Sequence, residues 1–173
     1  MIEQLYPGMA SLQNLHPLFV HFPIAFFLGA ALMEIVATFY HERFHFVATW
    51  LLYLGVFSAG VTLVSGFGAA SSIASQYTLE HDAPGHDLIH VHRNWMLFAS
   101  SMGACLAIYF LWVNQNQKWL HHRWGLLLGA LLLSFLVSMG ADRGGRLVFE
   151  FGTGVNPEIL RPIEADGAEA HGP

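Results

Sequence analysis

Histidine is the residue type with most chemistry to offer. The chain of 173 residues holds eleven, and a neutral imidazole both ligates metals and carries protons near neutral pH. His16 and His21 flank the segment Leu15-His16-Pro17-Leu18-Phe19-Val20-His21-Phe22-Pro23-Ile24. On a continuous helix their rings would point about 140° apart, which makes them poor joint ligands for one small ion. Their structural alternative is local: His16 caps the helix start, and His21 bonds the Phe19 carbonyl that Pro23 leaves without a donor. His92 opens the third long apolar run much as His21 opens the first. Two histidines on different helices at similar depth are what axial ligation of a b-type haem requires. His21 and His92 are therefore the candidate haem ligands, with His90 and His16 as alternates and Arg93, Arg143 and Arg146 as partners for propionates. His86 and His90, four residues apart, share a helical face. With His81, Asp82 or Asp87 they suit zinc or copper, so the candidate metal ligands are His21, His92, His86 and His90.

Glu34 is the one carboxylate clearly inside an apolar run. A charge in hydrocarbon is costly and points to function. It faces about 220° away from His21 on the same helix, so it serves a different groove. A quinone pocket or proton path is expected there, or a neutral carboxyl bonded to a hydroxyl such as Tyr53 or Thr62. His41, His45, His121 and His122 fall in short connections beside Arg43 and Arg123 and read as interfacial.

These residues need elements to position them. Hydrophobic residues make up 54% of the chain and charged ones only 11%, against roughly a quarter charged in soluble domains. The apolar residues cluster into four runs, at about 18–40, 46–67, 95–113 and 124–140, each near the roughly 20 residues that cross a bilayer. In lipid the backbone must satisfy itself, so these are helices. The expected fold is an all-α membrane protein, a four-transmembrane-helix bundle with a histidine-rich loop between helices 2 and 3. Residues 1–163 form one domain and 164–173 a flexible acidic tail. The first run lacks a basic segment before it and reads as a retained span rather than a leader. Gly125 with Gly129, Ala99 with Gly103 and Ala25 with Gly29 are small-residue pairs that let helices approach closely. Leu147, Phe149 and Phe151 alternate with Val148 and Glu150 among several glycines, which predicts a short extended C-terminal segment.

The two short connections carry Arg43, Lys118 and Arg123, whereas residues 68–91 hold no Lys or Arg. By the positive-inside rule the short connections are cytoplasmic and both termini outside. The net charge of −5 comes without a basic stripe, which excludes nucleic acid as a partner. The single Cys105 lies in an apolar run and reads as a small buried hydrophobe. No nucleophile elbow, zinc-protease or phosphate-loop motif is present.

The opening segment, Glu34, His92 and the closing Gly144-Gly145-Arg146-Leu147-Val148-Phe149-Glu150-Phe151-Gly152-Thr153-Gly154-Val155 together resemble a bacterial family of predicted four-helix membrane domains of unknown function. Members begin His-Pro-x-x-Val-His-Phe-Pro-Ile, carry an acidic residue deep in helix 1 and a histidine at the start of helix 3. The resemblance implies a topology in the bacterial inner membrane and, through relatives linked to redox domains, a role beside electron carriers. The expected function is a membrane electron-transfer subunit binding haem b near the outer surface, part of a larger complex with membrane or periplasmic redox subunits such as a cytochrome, and with quinone as a candidate partner. A non-haem metal-binding membrane protein and a structural anchor for a redox partner are the alternatives. Neither the haem reading nor the alternatives imply a stand-alone catalyst.

Overall fold

A computed structural model describes residues 15–74 and 85–155. The expected acidic tail, His81, Asp82 and the centre of the histidine-rich connection lie outside the described residues. Among the described residues five helices form in chain order: α1, His16–Phe19; α2, His21–Phe39; α3, Phe44–Ala74; α4, His86–Gln115; and α5, Trp119–Phe149. The first two make one span of 24 residues, so four segments are long and apolar enough to cross a membrane. The chain folds as an all-helical, four-span bundle. At 1.5 Å per residue the three longer spans reach about 45 Å, enough to extend past the roughly 30 Å hydrocarbon core into the headgroups.

The break between α1 and α2 follows from Pro23. Proline has no N–H to give the carbonyl four residues earlier, and that carbonyl, of Phe19, instead accepts the Thr62 hydroxyl of α3 at 3.1 Å. The freed group is thus satisfied by a neighbouring helix rather than by His21. α2 packs against α3 and α5, and α4 against α3 and α5, which closes an up-down-up-down square. Phe27, Leu52, Phe110, Leu126, Leu133 and Val137 fill its axis, each at most 2% exposed.

Small residues set the helix spacing. A Cβ on Gly129 would lie 2.7 Å from Leu106, and one on Gly103 3.1 Å from Phe27. The tightest aromatic approach involves Gly55, where a Cβ would meet the Phe27 ring at 2.6 Å. Ala25 and Cys105, in contrast, are exposed on the outer surface of the bundle.

The C-terminal segment departs from expectation. Helix α5 continues through Phe149 and no strand forms among the described residues. The apparent alternation is overridden by a second pattern of helical period: Leu133, Leu136, Gly140 and Leu147 are buried on one face, and Gly144 takes the His92 ring on that face. Those glycines admit α4 side chains; they do not signal extension. The helix ends where Gly152 adopts a φ of 63°. There the Gly152 and Thr153 amides bond the carbonyls of Val148 and Leu147, a left-handed glycine cap. The connection at 68–91 is likewise shorter than expected, because α3 runs on to Ala74 and α4 begins at His86.

Candidate functional site

The most polar interior site lies at the end of the bundle that carries the two short connections. Glu34 of α2 is completely buried. Its Oε2 lies 2.7 Å from Nδ1 of His45 on α3, and its Oε1 accepts the Trp119 indole N–H of α5 at 3.0 Å. His45 Nε2 reaches Asn114 Oδ1 of α4 at 2.8 Å, and the Asn114 amide nitrogen donates to Thr49 at 3.2 Å. Each of the four spans contributes a side chain to one connected network.

The network determines where its protons are. The Thr49 hydroxyl donates to the His45 carbonyl at 2.8 Å, so toward Asn114 it accepts. The amide nitrogen of Asn114 therefore faces Thr49, its oxygen faces His45, and Nε2 must carry a proton to give. One further proton sits between Nδ1 and Oε2. Either the carboxyl donates to a neutral ring, or a doubly protonated ring donates to the carboxylate. Both arrangements leave the pair neutral overall, which suits a site withdrawn from water.

His45 is 7% exposed, stacked against Phe110 and Trp119 with ring centroids 5.2 and 5.7 Å away. It is a core residue and not an interfacial one, and the expected hydroxyl partners of Glu34, Tyr53 and Thr62, are replaced by an imidazole and an indole. A positional signal existed: in an antiparallel helix pair joined by a tight turn, residues a few places before and after the turn share a depth. The neighbouring His122 also has a partner, the Tyr109 hydroxyl at 2.7 Å.

Two clefts flank Trp119, which lines both. One, of about 590 Å³, is walled by Phe46, Thr49, Trp50 and Tyr53 of α3 and Leu111 and Asn114 of α4. The other, of about 440 Å³, is bordered by Thr38, Tyr40, Glu42 and Arg123. Thr38 is 8% exposed, and its hydroxyl oxygen is the one buried side-chain polar atom among the described residues with no partner. It lies one turn after Glu34.

The opposite end gathers His16, His21, His86, His90 and His92. His21 is exposed, with Nδ1 3.0 Å from the Pro17 carbonyl, so its ring turns along its own helix and away from the bundle. His92 is almost two turns into α4, not in its first turn, because the helix starts earlier. Its Nδ1 lies 3.0 Å from the Gly140 carbonyl, and its ring rests on Gly144, where a Cβ would be 3.0 Å away. His16 takes the inward position: Nδ1 lies 3.2 Å from the Ser65 hydroxyl, and the ring occupies the space a Cβ on Gly66 would need.

Arg143 stacks over Trp95 at 4.4 Å and donates to the Met139 carbonyl. Arg146 instead forms an exposed pair with Glu150 at 2.8 Å. That pair holds the Glu150 carboxyl below its ordinary range, chiefly by hydrogen bonding. Arg93 is half-buried on α4. His86 and His90 bring their Nε2 atoms to 3.2 Å, close to the roughly 3.3 Å between two ligands of one tetrahedral ion with bonds of about 2.0–2.1 Å. Among the described residues no group of three or more His, Cys, Asp and Glu stands together as a metal site.

Comparison with curated proteins and with solved structures returns no match. A family model described as a predicted membrane protein (DUF2231) matches residues 12–157, and the chain belongs to that family.

Proposed function

We propose that the chain is a proton-handling membrane subunit whose working group is the Glu34–His45 pair. The observation that carries this reading is a completely buried carboxyl group whose Oε2 lies 2.7 Å from Nδ1 of a buried imidazole. A proton moved between Oε2 and Nδ1 leaves the net charge of the pair unchanged. Asn114, exposed at the cleft, links the imidazole to the surface. The unpartnered Thr38 oxygen calls for a water beside the pair on the other side, where the second cleft opens among polar side chains. The pair thus has routes outward on both flanks of Trp119.

Glu34→Gln tests the reading because it is isosteric and keeps both hydrogen bonds. The amide donates to Nδ1 of the neutral ring and accepts from Trp119. The variant should fold with near-native stability but lack the carboxyl infrared difference bands that a proton-exchanging Glu34 should give in the native protein. A network that only locked helix register would give the same difference spectrum in both proteins, and that outcome removes the proposal.

A second reading, electron transfer through a b-type haem in a larger redox complex, draws on the opposite end. His92 has its Nδ1 anchored by a backbone carbonyl, the arrangement that aims the other ring nitrogen at a metal. His16, not His21, is the inward-facing partner, and Gly66 and Gly144 admit the two rings. In this reading His16 and His92 would hold the iron, with Arg143 on the propionate side, and haem would supply one-electron chemistry. An absorption spectrum of protein expressed with sufficient haem decides it: well-folded protein without a Soret band ends it. The His86–His90 pair supports zinc or copper binding as the remaining alternative.

A further inference from the structure

We infer that the cleft between α3 and α4 binds the headgroup of a lipid-soluble quinone; this rests on the proton-handling role of Glu34–His45. The cleft's position points to a ligand that arrives from the bilayer. Phe46, Trp50 and Leu111 line it and are 69%, 54% and 46% exposed on the outer surface of the bundle, which is the lipid-facing surface of a spanning helix pair. Its volume of about 590 Å³ falls within the roughly 300–1,000 Å³ of small-molecule sites.

The lining describes the ligand. Trp50, Tyr53, Phe46 and Trp119 offer flat aromatic surface, which favours a planar ring. Asn114, Thr49 and Tyr53 supply polar atoms at the inner wall; the Tyr53 hydroxyl, held beside Asn114, is a donor suited to a ring carbonyl. Behind them lies His45, joined to Asn114 at 2.8 Å and to Glu34 at 2.7 Å. A ring carbonyl held at this wall would lie one side chain away from His45. A phospholipid headgroup would use the cationic rim at Arg43, but would have no use for aromatic walls or for a proton pair behind them.

The test uses the full chain in phosphatidylcholine nanodiscs with decyl-ubiquinone as the probe. Saturable quenching of tryptophan fluorescence is expected, together with photolabelling by an azido-quinone confined to peptides from α3 and α4 that border the cleft. Asn114→Leu and Tyr53→Phe should each weaken binding by about tenfold, as the loss of one hydrogen bond predicts. Leu128→Ala, on the exposed face of α5, should leave it unchanged. Non-saturable quenching, or saturable binding indifferent to both cleft substitutions, overturns the inference. So does displacement of the probe by phosphatidylglycerol in an Arg43-dependent manner, which makes the occupant a phospholipid. Absence of quinone binding while the Glu34-dependent infrared bands persist refutes the quinone site alone. Quinone binding without those bands supports the cleft as a ligand site and refutes the proton-handling role.

Discussion

Replacing His45 by phenylalanine separates the polar part of the buried network from its packing. The new ring retains the stacking on Phe110 and Trp119, so little cavity is created. What is lost is the bond from Nδ1 to Glu34 and the bond from Nε2 to Asn114. Asn114 is exposed and regains a water partner, so its share of the cost is small. Glu34 is 0% exposed and keeps only the Trp119 indole. Removing one partner of a buried pair costs about 3–5 kcal/mol, which lowers the folded-to-unfolded ratio roughly a hundred- to several-thousand-fold. Denaturant titration in mild detergent, followed by tryptophan fluorescence, reads this directly. The double substitution Glu34→Leu with His45→Phe removes both polar partners and should recover most of the loss, to within about 1 kcal/mol of the native protein. A His45→Phe protein within about 1 kcal/mol of native, or a double variant no more stable than the single one, would refute the reasoning.

Thr62→Val should destabilise the protein by about 1 kcal/mol, because the Phe19 carbonyl freed by Pro23 loses its donor; Pro23→Ala in the same background should recover part of that loss. Gly55→Val should cost about 1–3 kcal/mol by forcing the Phe27 ring aside, measurable as a lower unfolding midpoint. Cysteines placed at positions 43 and 118 should be protected from impermeant reagents in intact cells and labelled after lysis; ready labelling of intact cells would reverse the expected topology. The Arg146–Glu150 pair holds the Glu150 carboxyl below its reference value of 4.5. Its contribution is therefore complete above that value and lost as the pH falls below it, so the protection factors of amides in the last turn of α5, corrected for intrinsic exchange at each pH, should fall on acidification.

Span number and helical class were legible in the residues themselves, because bilayer thickness and backbone self-sufficiency act on composition alone. Glu34 was legible for the same reason: a carboxylate thirteen residues into an apolar helix is conspicuous without any partner. Its partners were not. Asn114 lies 69 residues from His45 and Trp119 85 from Glu34, and no periodicity along one helix states which face of another it meets. His45 was hidden for a related reason, since a histidine beside Arg43 at a helix start looks interfacial until α2 and α3 pack at equal depth. The rotation of α1 and α2 likewise turned His16 inward and His21 outward, which one helix's angular spacing allows but does not choose. The ending of α5 shows the same division. Alternation in 147–151 was a true feature of the residues, but burial against Trp95, Met96 and His92 selected the 3.6-residue period, because only contact with α4 gives Gly140 and Gly144 a reason to be small.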